Sequence, residues 1–209
     1  MAKLNKLASP SKVRAEAKTD LLLETAAQFF LEKGFEGASV GEIARAAHAS
    51  KETFYSRYAT KEELFRAVML RRTEKMSDVV STVLLPHDPP EKALNTLGGL
   101  ILERMTSDEF VTMDRALGME ARRFPELAKI FYENGPARLQ ALLAKYLDTQ
   151  VEAGRLRQLD SLLAARRFIA LLMAEMLKVK LGIAPKPTKK ERERYVQSAV
   201  DFFLRGYNA

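Results

Sequence analysis

Residues 39–65 read SVGEIARAAHASKETFYSRYATKEELF, and they are the most informative part of the chain. One capping box opens at Ser39 and a second at Thr60: in each, a hydroxyl is followed three residues later by a glutamate. Between them, a short helix opens at Ser50 and ends near Tyr58. The stretch therefore predicts closely spaced helices joined by tight turns.

A longer amphipathic helix is predicted before this stretch, from about Val13 to Lys33. Its apolar side chains recur on one stripe, and Gly34 is a natural C-cap. Residues 1–12 are basic and end in a Ser-Pro-Ser run, which predicts a flexible basic arm.

The rest of the chain also has helical periodicity. Residues 85–90, LPHDPP, form the clearest linker. Further helices are predicted at about 90–106, 108–122, 126–133, 136–153, 160–181 and 188–206. Alternating segments rich in Val, Ile and Thr are absent from the sequence, so we predict an all-α protein.

Composition narrows the possible functions. The 209 residues include no cysteine, which excludes disulfides, thiolate metal sites and cysteine nucleophiles. The sequence has no run of about 18 apolar residues, so no membrane span is predicted. Residues 1–20 lack the apolar core of a signal peptide. We therefore expect a cytoplasmic protein without a membrane partner. The net charge of +7 is spread along the chain, so the positions of the cations matter more than their number.

The short helix that opens at Ser50 has two different faces. Phe54 and Tyr58 lie four residues apart and can face inward. The N-terminal residues of such a helix are best placed to reach base edges in a DNA major groove. Lys51 can donate to guanine O6 or N7, and Thr53 can offer its hydroxyl or methyl group to a thymine. This is the chemistry of a DNA-recognition helix.

Polar groups that could bind phosphate surround this helix. Tyr55 is long enough to reach a phosphate oxygen, and Lys61 and Ser39 lie at helix starts, where free N–H groups attract phosphate. The predicted DNA-binding residues are Ser39, Ser50, Lys51, Thr53, Tyr55, Ser56, Arg57 and Lys61. The same spacing also fits a capped three-helix unit whose charged face only meets water, with Tyr55 as a packing residue.

The segment from Leu22 to Phe65 resembles the N-terminal domain of TetR-type transcriptional regulators. The matching residues are Ala26, Phe30, Gly34-Phe35 and the run Ser50-Lys51, Thr53-Phe54-Tyr55, Tyr58 and Lys61-Glu62-Glu63-Leu64. The resemblance implies that residues 51, 53 and 55 contact DNA and that residues 39 and 61 contact its backbone.

Two positions depart from the family pattern. Glu52 stands where a small glycine is usual, and a carboxylate near phosphates is unfavourable unless it accepts from a cytosine amino group. His48 stands at a turn position where glycine is also usual. Histidine is among the residues enriched at positive φ, so we expect His48 to be a left-handed turn residue rather than a metal ligand.

The stretch from Glu120 to Pro136 resembles the C-terminal domains of the AefR-like subgroup of these regulators. The resemblance implies a helix-turn-helix head at residues 13–62 and a larger helical ligand-binding and dimerisation domain at 63–209. It implies a repressor that binds a palindromic double-stranded DNA operator as a homodimer and is released by a small-molecule effector. An activator and a sequence-blind architectural DNA-binding protein are the alternatives.

The apolar faces of the last helices are a second argument for a dimer. The helix predicted at 160–181 is apolar on more than one side and needs cover on each. The last helix has two adjacent apolar stripes, although both helices could be core helices of a monomer. The predicted interface residues are Ile169, Met173, Met176, Val196, Val200 and Phe203.

Soft and aromatic side chains of the C-terminal region could line an adaptable ligand cavity. The predicted set is Met105, Phe110, Met113, Arg115, Glu120, Phe131, Tyr132 and Met173, although each could be an ordinary core or surface residue. The two histidines, His48 and His87, lie in a turn and a linker, and the HExxH, GxSxG and GxGxxG motifs are missing. We therefore predict no enzyme and no cofactor.

Overall fold

The prediction of an all-α protein is confirmed by the computed structural model, which describes residues 10–174 and 176–208. No strand runs through the described part of the chain. Its helices are α1 (Pro10–Gly37), α2 (Val40–Ala46), α3 (Lys51–Tyr55), α4 (Lys61–Val83), α5 (Pro90–Met105), α6 (Asp108–Glu120), α7 (Pro125–Asn134), α8 (Pro136–Glu152), α9 (Ser161–Ala174), α10 (Leu177–Lys180) and α11 (Lys189–Tyr207). None of these helices is long and apolar enough to cross a membrane.

The chain divides into two compact units, and the boundary lies inside α4, between Arg71 and Arg72. The first unit contains α1 to α3 and the start of α4. The second contains the rest of α4 and α5 to α11. The predicted functional domains, residues 13–62 and 63–209, stay a prediction.

The first unit is built on an aromatic cluster. The rings of Phe30, Phe35 and Phe65 lie 5.5–5.8 Å apart, centroid to centroid, and all three side chains are buried. Gly34, predicted as a C-cap, lies inside α1 and kinks it between the first two rings, with a φ of 71° and a ψ of 173°.

The start of α1 differs from the prediction. The helix begins at Pro10, three residues before the predicted start, because proline is well suited to the first position of a helix. Residues 10–12 of the predicted arm are therefore helical. The remainder of that arm, residues 1–9, lies outside the described residues.

In the second unit, α8 packs against α9, and α11 packs against α5. Gly98 on α5 permits this close packing, since a Cβ there would lie 2.7 Å from Cγ1 of Val196 on α11. The aromatic rings of Phe168 and Phe203 meet edge to face at 5.4 Å between α9 and α11. This core holds the helices that were predicted to bind a ligand and a second subunit.

The single helix predicted at residues 160–181 is wrong. It ends at Ala174, and the short α10 follows from Leu177. Met176 is fully buried, and its N–H donates to the carbonyl of Met173 at 3.0 Å. This bond spans three residues instead of the four of an α-helix, so the α-helical hydrogen-bond pattern is interrupted at Met176.

The predicted linker at residues 85–90 is tied to α8 and to the turn that follows it. The fully buried Gln150 donates from Nε2 to the carbonyl of Pro86 at 3.0 Å, and Arg155 donates from Nη2 to the same oxygen at 2.6 Å. The hydroxyl of Tyr146 donates to the carbonyl of Asp88 at 2.9 Å. Burial chiefly raises the pKa of Tyr146, to about 12.

Candidate nucleic-acid interface

The turn between α2 and α3 is closed by a Schellman motif. The N–H of Ala49 donates to the carbonyl of Ala44 at 2.8 Å, and that of His48 donates to the carbonyl of Arg45 at 3.1 Å. The motif requires a left-handed residue at the position of His48, whose φ is 53°. The prediction of a left-handed histidine is confirmed, and it fixes where α3 starts.

Helix α3 has the two faces that the sequence predicts. Phe54 is fully buried, and its ring lies 5.6 Å from that of the half-buried Tyr58. Burial chiefly raises the pKa of Tyr58. Beside this buried side, Lys51 is exposed and Tyr55 is 53% exposed. The regular helix ends at Tyr55, three residues earlier than predicted, and a hydrogen-bonded turn continues from it.

The two predicted capping boxes have different outcomes. Thr60 accepts the N–H of Glu63 at 3.1 Å, and the Glu63 carboxylate accepts the N–H of Ala59 at 2.8 Å, so the start of α4 is capped. Ser39 is the N-cap of α2 in backbone conformation only, because its side chain accepts no capping hydrogen bond. The predicted glutamate partner of that serine is engaged elsewhere.

That partner, Glu42, forms an ion pair with Lys33 of α1 at 2.9 Å. The hydrogen bond and charge of Lys33 lower the pKa of the Glu42 carboxyl. The capping box predicted at Ser39 is therefore wrong in its side-chain bonds. The hydroxyl of Ser39 is exposed beside α3 instead of being committed to a cap.

Two predicted DNA contacts are used inside the first unit. The ammonium of Lys61 donates to the carbonyls of Glu36 at 3.0 Å and Ala38 at 3.2 Å, and it lies 4.8 Å from the ring centroid of Phe35. Arg57 donates from Nη1 to the hydroxyl of Thr19 on α1. These bonds compete with phosphate for the same N–H groups.

The other predicted DNA contacts surround α3. Ser50 and Ser56 are exposed, as is Glu52. The side chain of Thr53 lies outside the described residues. Sequence reasoning missed Gly41, although a glycine within a helix is itself a signal because alanine is more favourable there. A Cβ built on Gly41 would lie 2.9 Å from Cε of Lys51.

Most of the predicted dimer residues lie in the core of a single chain. Four of them are at most 2% exposed: Met176, Val196, Val200 and Phe203. They cannot form a surface for a second subunit, so this part of the prediction is wrong. Ile169 and Met173 are partly buried against the same core. On α11, the neighbouring Phe202 is 70% exposed.

The predicted ligand residues do not share one environment. Met105 is 7% exposed within the core, and Phe110 and Met173 pack against that core. Met113 and Phe131 are partly buried, Tyr132 is 47% exposed, and the side chain of Glu120 lies outside the described residues.

Arg115, also predicted to bind a ligand, connects α6 to the end of α10. Its Nε and Nη2 donate to the carbonyl of Lys180 at 3.0 and 2.6 Å, and the ammonium of Lys180 pairs with Asp114 at 2.9 Å. Within residues 10–174 and 176–208, no three side chains of His, Cys, Asp or Glu come together as a metal-binding group.

A helix-turn-helix with an exposed second helix, followed by a larger helical unit, defines a class of DNA-binding regulators. Residues 22–68 match the model of the bacterial regulatory proteins of the TetR family. Residues 92–209 match that of the C-terminal domain of AefR-like transcriptional repressors. The chain belongs to the TetR family of transcriptional regulators, with an AefR-like C-terminal domain, which confirms the resemblance.

Solved structures agree with this assignment. A protein assigned to the TetR family from Mesorhizobium loti MAFF303099 is 28% identical, has a TM-score of 0.83, and aligns over 94% of this chain and 99% of its own. The flavonoid-responsive regulator FrrA is 30% identical, has a TM-score of 0.76, and aligns over 92% and 98%.

Curated relatives match over a shorter share of their own length. The HTH-type transcriptional regulator TcmR of Streptomyces glaucescens is 30% identical over 73% of this chain, and the match spans 61% of TcmR. Matches to the other curated relatives, among them a TetR repressor of Mycobacteroides abscessus, span 33% to 43% of those proteins.

Proposed function

We propose that the protein is a transcriptional repressor that binds a palindromic double-stranded DNA operator as a homodimer and is released by a small molecule. The observation that carries the proposal is the exposure of Lys51 and Tyr55 on α3, a short helix that is held in place by the fully buried Phe54. The AefR-like repressor match supports the sign of regulation.

The DNA contacts fall into two groups in this proposal. Lys51 and the threonine that follows two residues later read base edges, and Tyr55, Ser39 and the two serines that flank α3, Ser50 and Ser56, hold the backbone. Arg57 and Lys61 mainly stabilise the first unit, because their N–H groups are hydrogen-bonded to Thr19 and to the end of α1. They stabilise the surface that the other residues present.

In this proposal, a second copy of the chain packs against exposed apolar side chains of α9 and α11. Phe202, 70% exposed on α11, and Leu162, 41% exposed on α9, are the apolar side chains that a partner would cover. A two-fold dimer presents two recognition helices, and these read a palindrome when they lie about 34–36 Å apart.

The effector binds the second unit in this proposal, through its differential affinity for the DNA-bound and free states. Phe110, Met113, Phe131 and Met173 are the predicted contacts that keep partial exposure. FrrA responds to flavonoids by its name, which makes planar aromatic compounds the first effectors to test.

Footprinting of the purified protein on the DNA that flanks its own gene tests the proposal. We expect a protected site with two half-sites that survives excess competitor DNA and is lost with an effector, flavonoids included. Lys51→Ala should weaken binding about tenfold and relax base preference. Wild-type affinity of this variant at moderate salt would contradict the contact assignment.

The same experiments separate the alternatives. Equal affinity for all duplexes indicates a sequence-blind architectural protein. Increased transcription on operator binding indicates an activator. We propose that the protein has no catalytic activity and acts in the cytoplasm, and conversion of a bound effector would contradict the first point.

A further inference from the structure

Gly41 leaves a gap in α2 that the side chain of Lys51 fills. A Cβ built on Gly41 would lie 2.9 Å from Cε of Lys51 and 3.4 Å from its Nζ. Optimal contacts between carbon atoms are about 3.5–4.0 Å, so the first distance is a clash. The stem of Lys51 therefore runs over the α2 backbone through space that any side chain at position 41 would take.

The gap also brings two predicted DNA contacts close together. The hydroxyl oxygen of Ser39 lies 3.7 Å from the same Cβ position, so it and the ammonium of Lys51 both lie within 4 Å of one point. The stem of lysine is flexible, and the backbone of α2 limits where it can go. A hydrogen bond to DNA is lost when the donor moves by about 1 Å, because N–H···O distances are confined to 2.7–3.2 Å.

The fold does not require glycine at this position. Gly41 is not among the glycines with positive φ, and alanine is more favourable than glycine inside a helix. The atom nearest the added Cβ is the far end of a flexible side chain, which can move without disturbing the core. Alanine at position 41 should therefore preserve the head and displace only the ammonium group.

The geometry points to Gly41 as a positioning residue for DNA recognition. Because Gly41 has no side chain, the stem of Lys51 can lie over α2, and this determines where the ammonium of Lys51 contacts the operator. The inference rests on the proposed function, since it takes Lys51 as a DNA contact. It adds a residue that acts through the side chain of Lys51 and thereby determines affinity and base preference.

A double-mutant cycle on the full-length protein tests this inference. Wild type, Gly41→Ala, Lys51→Ala and the double variant are titrated against the duplex that footprinting of the wild type defines. We expect Gly41→Ala to weaken binding at least fivefold and to relax preference at the same base pair as Lys51→Ala. In the Lys51→Ala background it should change affinity by less than about twofold.

Two controls separate positioning from damage to the fold. The thermal midpoint of Gly41→Ala should equal or exceed that of the wild type, because alanine favours the helix. Gly37→Ala, in the same head, adds a Cβ at an ordinary 3.5 Å from Cβ of Lys33 and should keep wild-type affinity.

Failure of the inference differs from failure of the proposed function. Wild-type affinity of Gly41→Ala beside a weakened Lys51→Ala would overturn the inference alone, as would an equal loss in both backgrounds. Unchanged affinity of Lys51→Ala would overturn both the inference and the assignment of that contact. A wild type that protects no specific duplex would contradict the proposed function itself.

Discussion

The ammonium of Lys61 is bound inside the helical head, where the sequence alone predicts a phosphate contact. Its two carbonyl acceptors, Glu36 and Ala38, lie at and just beyond the end of α1, and the Phe35 ring lies beneath it. Cations at the C-terminal end of a helix satisfy carbonyls that have no partner within the helix. Lys61 therefore stabilises the turn from α1 into α2, which in turn positions the recognition helix.

Lys61→Ala should lower the free energy of unfolding by about 1–2 kcal/mol, because it removes two charge-assisted hydrogen bonds that are partly shielded from water. The operator affinity of the folded variant should keep a salt dependence close to that of the wild type. Urea unfolding and titrations at several salt concentrations measure the two effects. A log-log slope flattened by about one unit, with unchanged stability, would restore the phosphate contact.

The sequence predicts the conformation of single residues correctly where neighbours along the chain determine it. Phe54 and Tyr58 face inward because their spacing places them on one side of a single helical turn. His48 takes a left-handed φ because the chain must close α2 within two residues. Glu42 and Lys61 differ from prediction because their partners, Lys33 and the carbonyls after Phe35, become neighbours only when α1 folds onto the later helices.

Helix α8 carries the polar side chains that fix residues 85–90. Tyr146 is 3% exposed, and its hydroxyl donates to the carbonyl of Asp88. Burial raises the pKa of this hydroxyl to about 12, and the charge of Arg155 offsets only part of that effect. An unfolded tyrosine loses its proton near pH 10, so the folded state holds this proton more tightly.

This difference predicts a loss of stability at high pH. Below pH 10, both states keep the proton and the contribution of Tyr146 is complete. Between about pH 10 and 12 only the unfolded state loses it, so the free energy of unfolding should fall by about 2 kcal/mol. Tyr146→Phe should be less stable at pH 8 and should decline less between pH 9 and 12. Urea unfolding measures both slopes, and parallel declines would contradict the assignment.

Element boundaries follow from the sequence where a cap or a proline marks them. Helices α5, α7 and α8 start at prolines, and α11 starts after a complete capping box between Thr188 and Glu191. The N-cap of α10 is Met176, which is fully buried and makes no side-chain capping hydrogen bond, so neither a proline nor a polar cap marks the start of α10. The sequence also does not distinguish the buried Phe203 from the exposed Phe202 on α11, since both are phenylalanines in apolar stripes.

In the whole molecule, two neighbouring phenylalanines on α11 have different environments, one in the core and one at the surface. Phe203 is 2% exposed and meets Phe168 in the core, whereas Phe202 is 70% exposed. In the proposed dimer, Phe202 is covered by the partner. Burial of a phenylalanine contributes about 1.5–3 kcal/mol, so one such contact from each subunit is a substantial share of association.

Phe202→Asp should therefore yield a folded monomer, because it places a charge in the proposed interface and disturbs no core contact. Phe203→Ala is the matched control: it should lower the free energy of unfolding by about 3–5 kcal/mol, because it leaves a cavity in the core. Light scattering after size exclusion measures the mass, and urea unfolding measures stability. A Phe202→Asp protein that keeps the wild-type mass would place the interface elsewhere.

The double hydrogen bond at the Pro86 carbonyl limits where the protein can be labelled. A fluorescent tag inserted at residues 85–90 would pull that oxygen away from Gln150 and Arg155, and each side chain would lose a hydrogen bond to the linker. Each hydrogen bond lost in this way lowers stability by about 0.5–1.5 kcal/mol. Residues 85–90, which the sequence predicts to be a linker, are therefore a poor site for an insertion.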